Sequence, residues 1–286
     1  MLRALPRRLP AGRPGDPGLY GPGSAAWRIN GEGVLMLGGP RALLMQIAHP
    51  SVAAAVTDHS GFPDQAYQRL WRTLDAMLTI SFGDREQSAE AAERVTAVHR
   101  RVMGATPGGD PYDALDPDLL LWVHATGVDS ALVTYRMFVS ELTRNDRERY
   151  YDEMKRQAVA LEVPPSAMPE SLPEFDRYVE KTCRTLEVNE QARTLARDIL
   201  SPPVPLPLRP VARYVELVTT ALLPAAVGEK YGLRRSGVCG LATRASARAI
   251  RMILPLVPDL ARRWPHARAA AERVTAPDPV EQFAPD

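Results

Sequence analysis

The sequence predicts an all-α protein folded as a single multi-helix domain, and three observations predict it. Apolar residues recur at helical period through much of the chain, most clearly over 64–82 and 116–143. Sustained period-2 alternation and Asn-Gly hairpin signals are nearly absent. Proline, glycine and aspartate cluster between the periodic segments, where they punctuate them. The 286 residues suffice for one large core, and 45% hydrophobic residues with 24% charged and a net charge of +1 make an ordinary globular profile. No basic excess over the whole chain draws it to nucleic acid, and aromatics at 6% leave little for base stacking.

Residues 1–24 open with MLRALPRRLPAGRPGDPG, arginine-bearing but broken by Pro and Gly, which predicts a disordered arm with no apolar signal segment. A helical domain is expected over 25–275, followed by a flexible tail at 276–286. From Trp27 the glycines Gly31, Gly33, Gly38 and Gly39 complete neither GxGxxG nor a Walker loop, so they read as breaks between short helices. Pro40 suits a helix start, and Pro50 ends the run Arg41–Ala48. His49 and His59 then bracket the short apolar helix Ser51–Asp58. Each is either a polar terminus or part of a pocket wall.

The segment 64–82 is the cleanest amphipathic helix, with Tyr67, Leu70, Trp71, Leu74, Met77, Leu78 and Phe82 in one stripe. Arg69 and Thr73 lie one turn apart beside it, with Arg72 the i+3 neighbour of Arg69. They are solvated side chains, or a guanidinium and a hydroxyl aimed at an anionic or oxygen-bearing ligand. Glu86–Met103 reads as a surface helix whose inward stripe is Ala92, Val95, Val98, His99 and Val102, with His99 structural. A Gly/Pro/Asp-rich connection, 104–117, follows.

The longest helical pattern, 116–143, holds His124 among Leu119, Leu120, Leu121, Trp122 and Val123 before it and Val128, Leu132, Val133, Tyr135 and Phe138 after. Its imidazole either hydrogen bonds inside the core or gives a lone pair to a metal. Asp129 and His124 interrupt a run already short for a bilayer span of roughly 20 residues, so a buried helix is expected and no transmembrane segment. Helices are expected at 146–161, 170–180, 190–199 and 211–223, with SPPVPLPLRP as a turn inside one domain. From Arg209 to Arg273 basic residues outnumber acidic ones, and RMILPLVPDLARRW is basic and amphipathic. It is a solvated face or a weak membrane-surface contact.

Spacing removes several chemistries. No Glu-x-x-His, HExxH, His-x3-His or GxSxG is present. Cys183 and Cys239 form neither CxxC nor CxxCH, which argues against a disulfide scaffold, a zinc cluster and covalent haem attachment, and favours a cytoplasmic setting. What survives is a single histidine on an apolar helix, a pattern compatible with haem carrying one protein ligand.

The segments AHPSVAAAVTDHSGF, RLWRT, FGD and LWVHATGVDSALVTY, in this order, together with LTRNDRERYYDEM and VTTALLPAAVGEKYGL, resemble the haem-dependent oxygenases that include mpaB and the latex-clearing protein, the rubber oxygenase. The likeness spans roughly 25–235. It implies a globin-like helical core around b-type haem, with His124 as the iron ligand and Arg69, Arg72 and Thr73 lining the haem. A lysine able to occupy the sixth iron position in the latex-clearing protein is matched by Arg72, which stays protonated and cannot ligate. The distal side is therefore expected to be open, water-bound or approached by His49 or His59. The resemblance implies a haem b oxygenase or oxidase acting with O2 on a small apolar, isoprenoid-like molecule, with oxidative C=C cleavage as one outcome. The alternative is a non-catalytic haem carrier or sensor on the same fold.

Overall fold

Helix starts in this chain are set by small polar caps and by proline in the first turn, which between them divide the sequence into short rods. The computed structural model describes residues 11–59, 66–233 and 237–276, the side chains of 66–70 and 238 excepted. In chain order the helices are α1 (Ala25–Asn30), α2 (Gly39–Ile47), α3 (Pro50–His59), α4 (Ala66–Phe82) and α5 (Arg85–His99). A two-stranded antiparallel hairpin, β1 (Met103–Ala105) with β2 (Pro111–Asp113), leads to α6 (Pro117–Phe138) and α7 (Arg144–Ala160). Then come α8 (Leu172–Thr185), α9 (Glu190–Leu200), α10 (Arg209–Leu222), α11 (Ala225–Lys230), α12 (Gly237–Ile253), α13 (Asp259–Arg262) and α14 (Pro265–Thr275).

The caps explain the boundaries. Asp84 and Thr143 form capping boxes with Gln87 and Asp146 at the starts of α5 and α7, and Asp116 accepts from the amides of Asp118 and Leu119 above Pro117. The central helix α6 ends at Phe138, earlier than the pattern suggested, because Val139 leaves helical continuity and Thr143 caps a new rod. Its buried residues run on nearly every side: Trp122 at 1% exposure, Ala125 at 0% and Phe138 at 0%. Each large apolar side chain so buried contributes roughly 1.5–3 kcal/mol. Trp122 donates its indole N–H to the Met45 carbonyl at 3.1 Å, locking α6 to α2. Phe138 packs with Val218, Leu222 and Ala247 of α10 and α12, so the helices after the proline-rich break share the central helix.

Two buried ionic clusters clamp distant segments. Arg41 reaches Asp129 (2.6 Å), Ser130 (2.7 Å) and the Leu222 carbonyl (2.9 Å), joining α2, α6 and α10. Glu32, 1% exposed, takes a bidentate pair from Arg262 at 2.6 and 2.8 Å, which ties the segment after α1 to α13.

Three expectations change. Residues 11–24, read as part of a disordered arm, are packed: Tyr20 is 1% exposed, Arg13 donates its amide to Asp84 at 2.7 Å, and Gly15 donates to the Arg273 carbonyl at 3.0 Å. Gly18 shows why Pro/Gly composition misleads here. At φ +71° it passes so close to the Gly83 carbonyl that a Cβ would fall 2.0 Å from that oxygen. The connection 104–117 contains the β1–β2 hairpin, whose three-residue strands are too short to show alternation. The inward stripe of α5 is Ser88, Ala91, Ala92 and Thr96, while Val98 is 61% exposed, because small residues let α5 approach Ile80 of α4. Among the described residues no helix is long and apolar enough to cross a membrane. The tail from 277 lies outside the described residues.

Candidate functional site

Helices α4 and α5 form an antiparallel pair turned at Gly83 and Asp84, and Ser88 fastens the turn through its hydroxyl to the Thr79 and Gly83 carbonyls. At the turn end the seam is closed: Ile80 is 0% exposed and Ala92 4%. Following the stripe of Ile80 and Met77 back one turn reaches Thr73, and another turn reaches position 69. Following Ala92 and Thr96 forward reaches His99. Equal rises on either side of the turn bring His99 level with the first turn of α4. Toward that end the pair is less buried: Thr73 is exposed and His99 partly exposed. Arg72 stands exposed beside Thr73. The guanidinium of Arg69 lies outside the described residues, although its backbone is part of α4.

The back of α4 is held in place. His266 of α14, 1% exposed, faces the Asp75 carboxylate at 3.2 Å, which fixes the rotation of the helix bearing Thr73. Burial lowers the pKa of His266, with Asp75 opposing.

His124 sits elsewhere. Its helix packs on α2, α7, α8 and α12, and the imidazole hydrogen bonds to the backbone of Met154 in α7. Desolvation by burial lowers its pKa to about 4, and the Met154 hydrogen bond opposes that shift. The side chain nevertheless keeps accessible surface. A neutral imidazole with one nitrogen donating to a carbonyl presents a lone pair on the other, the state in which histidine ligates iron. Burial likewise lowers the pKa of His99.

His49 and His59 each have contacts of their own. His49 lies at the junction of α2 and α3, where its Nδ1 accepts from the Ser51 amide at 3.2 Å; burial lowers its pKa, opposed by Asp116 and Asp118 at the start of α6. His59 is exposed at the end of α3, its Nε2 3.2 Å from the Met103 carbonyl and its ring edge-on to Tyr112. This contact puts His59 beside the hairpin that follows His99. A surface hollow of about 290 Å³ lies near His49, lined by Pro50, Thr106, Pro107, Asp110, Asn189 and Gln191. A second, of about 430 Å³, is lined by Lys155, Arg156, Val159 and Met168 among others. Neither is bordered by His124 or His99. Among the described residues no three His, Cys, Asp or Glu side chains form a group that could hold a metal ion.

Comparison with known proteins agrees with a helical oxygenase framework. The family model described as "ER-bound oxygenase mpaB/B'/Rubber oxygenase, catalytic domain" matches residues 27–252. The chain belongs to this family. The match runs from α1 nearly to the end of α12, so the α4–α5 seam and α6 both fall inside the oxygenase catalytic domain. Uncharacterised proteins of Mycobacterium tuberculosis (Rv2237) and Mycobacterium bovis (Mb2261) are each 27% identical over 190 residues, covering 62% of this chain and 72% of theirs. No solved structure matches.

The sequence reading set His99 on the inward stripe of 86–103 as a structural residue. The signal was available in the register of α5: His99 falls seven residues after Ala92 and three after Thr96, on the side turned to α4.

Proposed function

We propose that this chain is a haem b-dependent oxygenase or oxidase that uses O2 on a small apolar molecule, an isoprenoid-like alkene being the substrate class and C=C cleavage the outcome. What supports the reading is the match of residues 27–252 to the oxygenase catalytic domain, together with two histidines whose pKa burial lowers, His99 on α5 and His124 on α6. These residues fit haem. His99 offers a lone pair, Thr73 a hydroxyl, and Arg69 and Arg72 offer guanidinium groups suited to anionic propionates. Bound there, haem supplies the O2 and electron-transfer chemistry that side chains lack. The chain's own part is to hold the imidazole neutral, to orient the Thr73 hydroxyl as a donor toward an oxygen-bearing ligand, and to exclude water with the apolar walls of α4 and α5.

His124 is the second candidate for iron, and its hydrogen bond to the Met154 backbone favours it as an oriented neutral ligand. What favours His99 is its register, which sets it on the side of α5 that carries Ala92 and Thr96. A carrier or sensor role is the competing function, and the protonated Arg72 in a position read as a lysine favours it. Oxygen consumption by haem-loaded protein, measured with polyisoprenoid and short alkene substrates, separates the two. Turnover supports the oxygenase, and haem uptake with no oxygen consumed supports the carrier.

A further inference from the structure

Large apolar side chains stand in water along one side of the C-terminal helices. Leu206, Leu208, Val211, Met252, Ile253 and Leu256 are 71%, 47%, 59%, 71%, 59% and 81% exposed. Three open the α10 region, and Met252, Ile253 and Leu256 close α12 and the turn after it. Helices α10 and α12 pack together, and the Tyr214 hydroxyl meets the Ser246 hydroxyl at 3.0 Å. Scattered single leucines on a surface need no explanation, but six such residues at the ends of two packed helices do.

The charge around the patch is mostly basic, and the exposed acids Asp259 and Glu141 lie within reach of Arg263 and Arg251. Helix α12 carries Arg244, Arg248 and Arg251 and no acid. Arg251 turns inward to the Met137 carbonyl and Glu141, whereas Arg244 and Arg248 are exposed and stand at i−8 and i−4 of Met252, on its own stripe. Arg209 is exposed at the other edge, next to Leu208. Aliphatic side chains interleaved with arginines, on helices lying along the surface, match the boundary between acyl chains and anionic headgroups. A second copy of the chain would set these arginines against their own like charge.

We propose that this face, from 206–211 across Arg244, Arg248, Met252 and Leu256, docks on the surface of an anionic lipid bilayer without crossing it. The inference rests on the patch alone, and it complements the proposed apolar substrate, which partitions into lipid and would be taken up from there.

The test is co-sedimentation of the full-length chain with vesicles of phosphatidylcholine alone or of phosphatidylcholine mixed equally with phosphatidylglycerol. Binding to the mixed vesicles, absent from the neutral ones and weakened by salt, is the expected result. Met252→Ser and Leu256→Ser should each weaken partitioning about tenfold. The double variant Arg244→Glu, Arg248→Glu should abolish it. All four positions are exposed, so circular dichroism should be unchanged. Failure of the wild-type chain to sediment with anionic vesicles overturns the proposal, as does equal binding by the serine variants. A dimer in sedimentation velocity that Leu256→Ser dissociates would overturn it too, by giving the patch to a second copy. Haem content and oxygen consumption do not enter these readouts, so the oxygenase reading and the docking reading fail separately.

Discussion

Two helix pairs carry histidines, and they differ in how far polar side chains tie them to distant segments. Where α6 meets α2, polar side chains join distant segments, Trp122 to Met45 and Arg41 to Asp129, Ser130 and Leu222, although Thr134 Oγ1 is buried without a partner. Where α4 meets α5, the seam is closed at Ile80 and Ala92 and is less buried toward Thr73 and His99. The first arrangement holds the fold together; the second leaves chemistry-bearing groups available. Substitutions on the closed side should therefore be expensive in stability, and those at the exposed end cheap in stability but costly in function.

The largest stability effect is expected at Arg41. Arg41→Ala leaves Asp129 and the Leu222 carbonyl without their cation and should cost about 3–5 kcal/mol, read as a fall in the urea midpoint. Next comes acidity. The pKa of His124 is lowered to about 4 by burial, so the unfolded chain takes up its proton first as pH falls. The stability this histidine contributes is complete above pH of about 6.5 and is lost as pH drops toward about 4, by about 2–3 kcal/mol after allowance for its partial exposure. His49, His99 and His266 are lowered in the same sense and add to the slope. Urea melts between neutral pH and pH 4.5 should show this decline, and His124→Asn should flatten it.

A smaller effect is expected where the 3₁₀ segment Gly33–Gly38 crosses α6. A Cβ at Gly38 would lie 2.2 Å from Thr134 Oγ1 and 3.2 Å from the Ser130 carbonyl, so Gly38→Ala should cost about 1–3 kcal/mol in a thermal melt. Smallest is Thr73→Val toward the less buried end of the seam, within about 0.5 kcal/mol of wild type because the side chain is exposed. The same change should cut substrate-dependent oxygen consumption about tenfold or more if Thr73 donates to the reacting oxygen. A Thr73→Val protein with full turnover would remove the distinction between the two regions.

Much of the fold was legible in the sequence because it is written in local periodicity and caps. The run 116–143 showed its helix, which ends at Phe138, and Pro40 marked the start of α2, whereas the Thr143 cap that opens α7 fell inside the pattern and was not read. Long-range anchoring was not legible. Nothing local says that Tyr20 docks in the core through a Pro/Gly-rich lead, or that three-residue strands pair between α5 and α6. The candidate site was half legible. Arg69, Arg72 and Thr73 were visible as a turn-spaced set, but which histidine faces them depends on how α5 rotates against α4. The small residues Ala91 and Ala92 pack on α4, and Val98, read as part of the inward stripe, is exposed.

The most direct test is the Soret absorbance of purified protein, expressed with ample haem, for the wild type, His99→Ala and His124→Ala, each checked for fold by circular dichroism. The account predicts a Soret band in the wild type, its loss in folded His99→Ala, and its retention in His124→Ala. A colourless wild-type protein, or full haem retained by both variants, would contradict it; loss in His124→Ala alone would move the iron from the α4–α5 seam to α6.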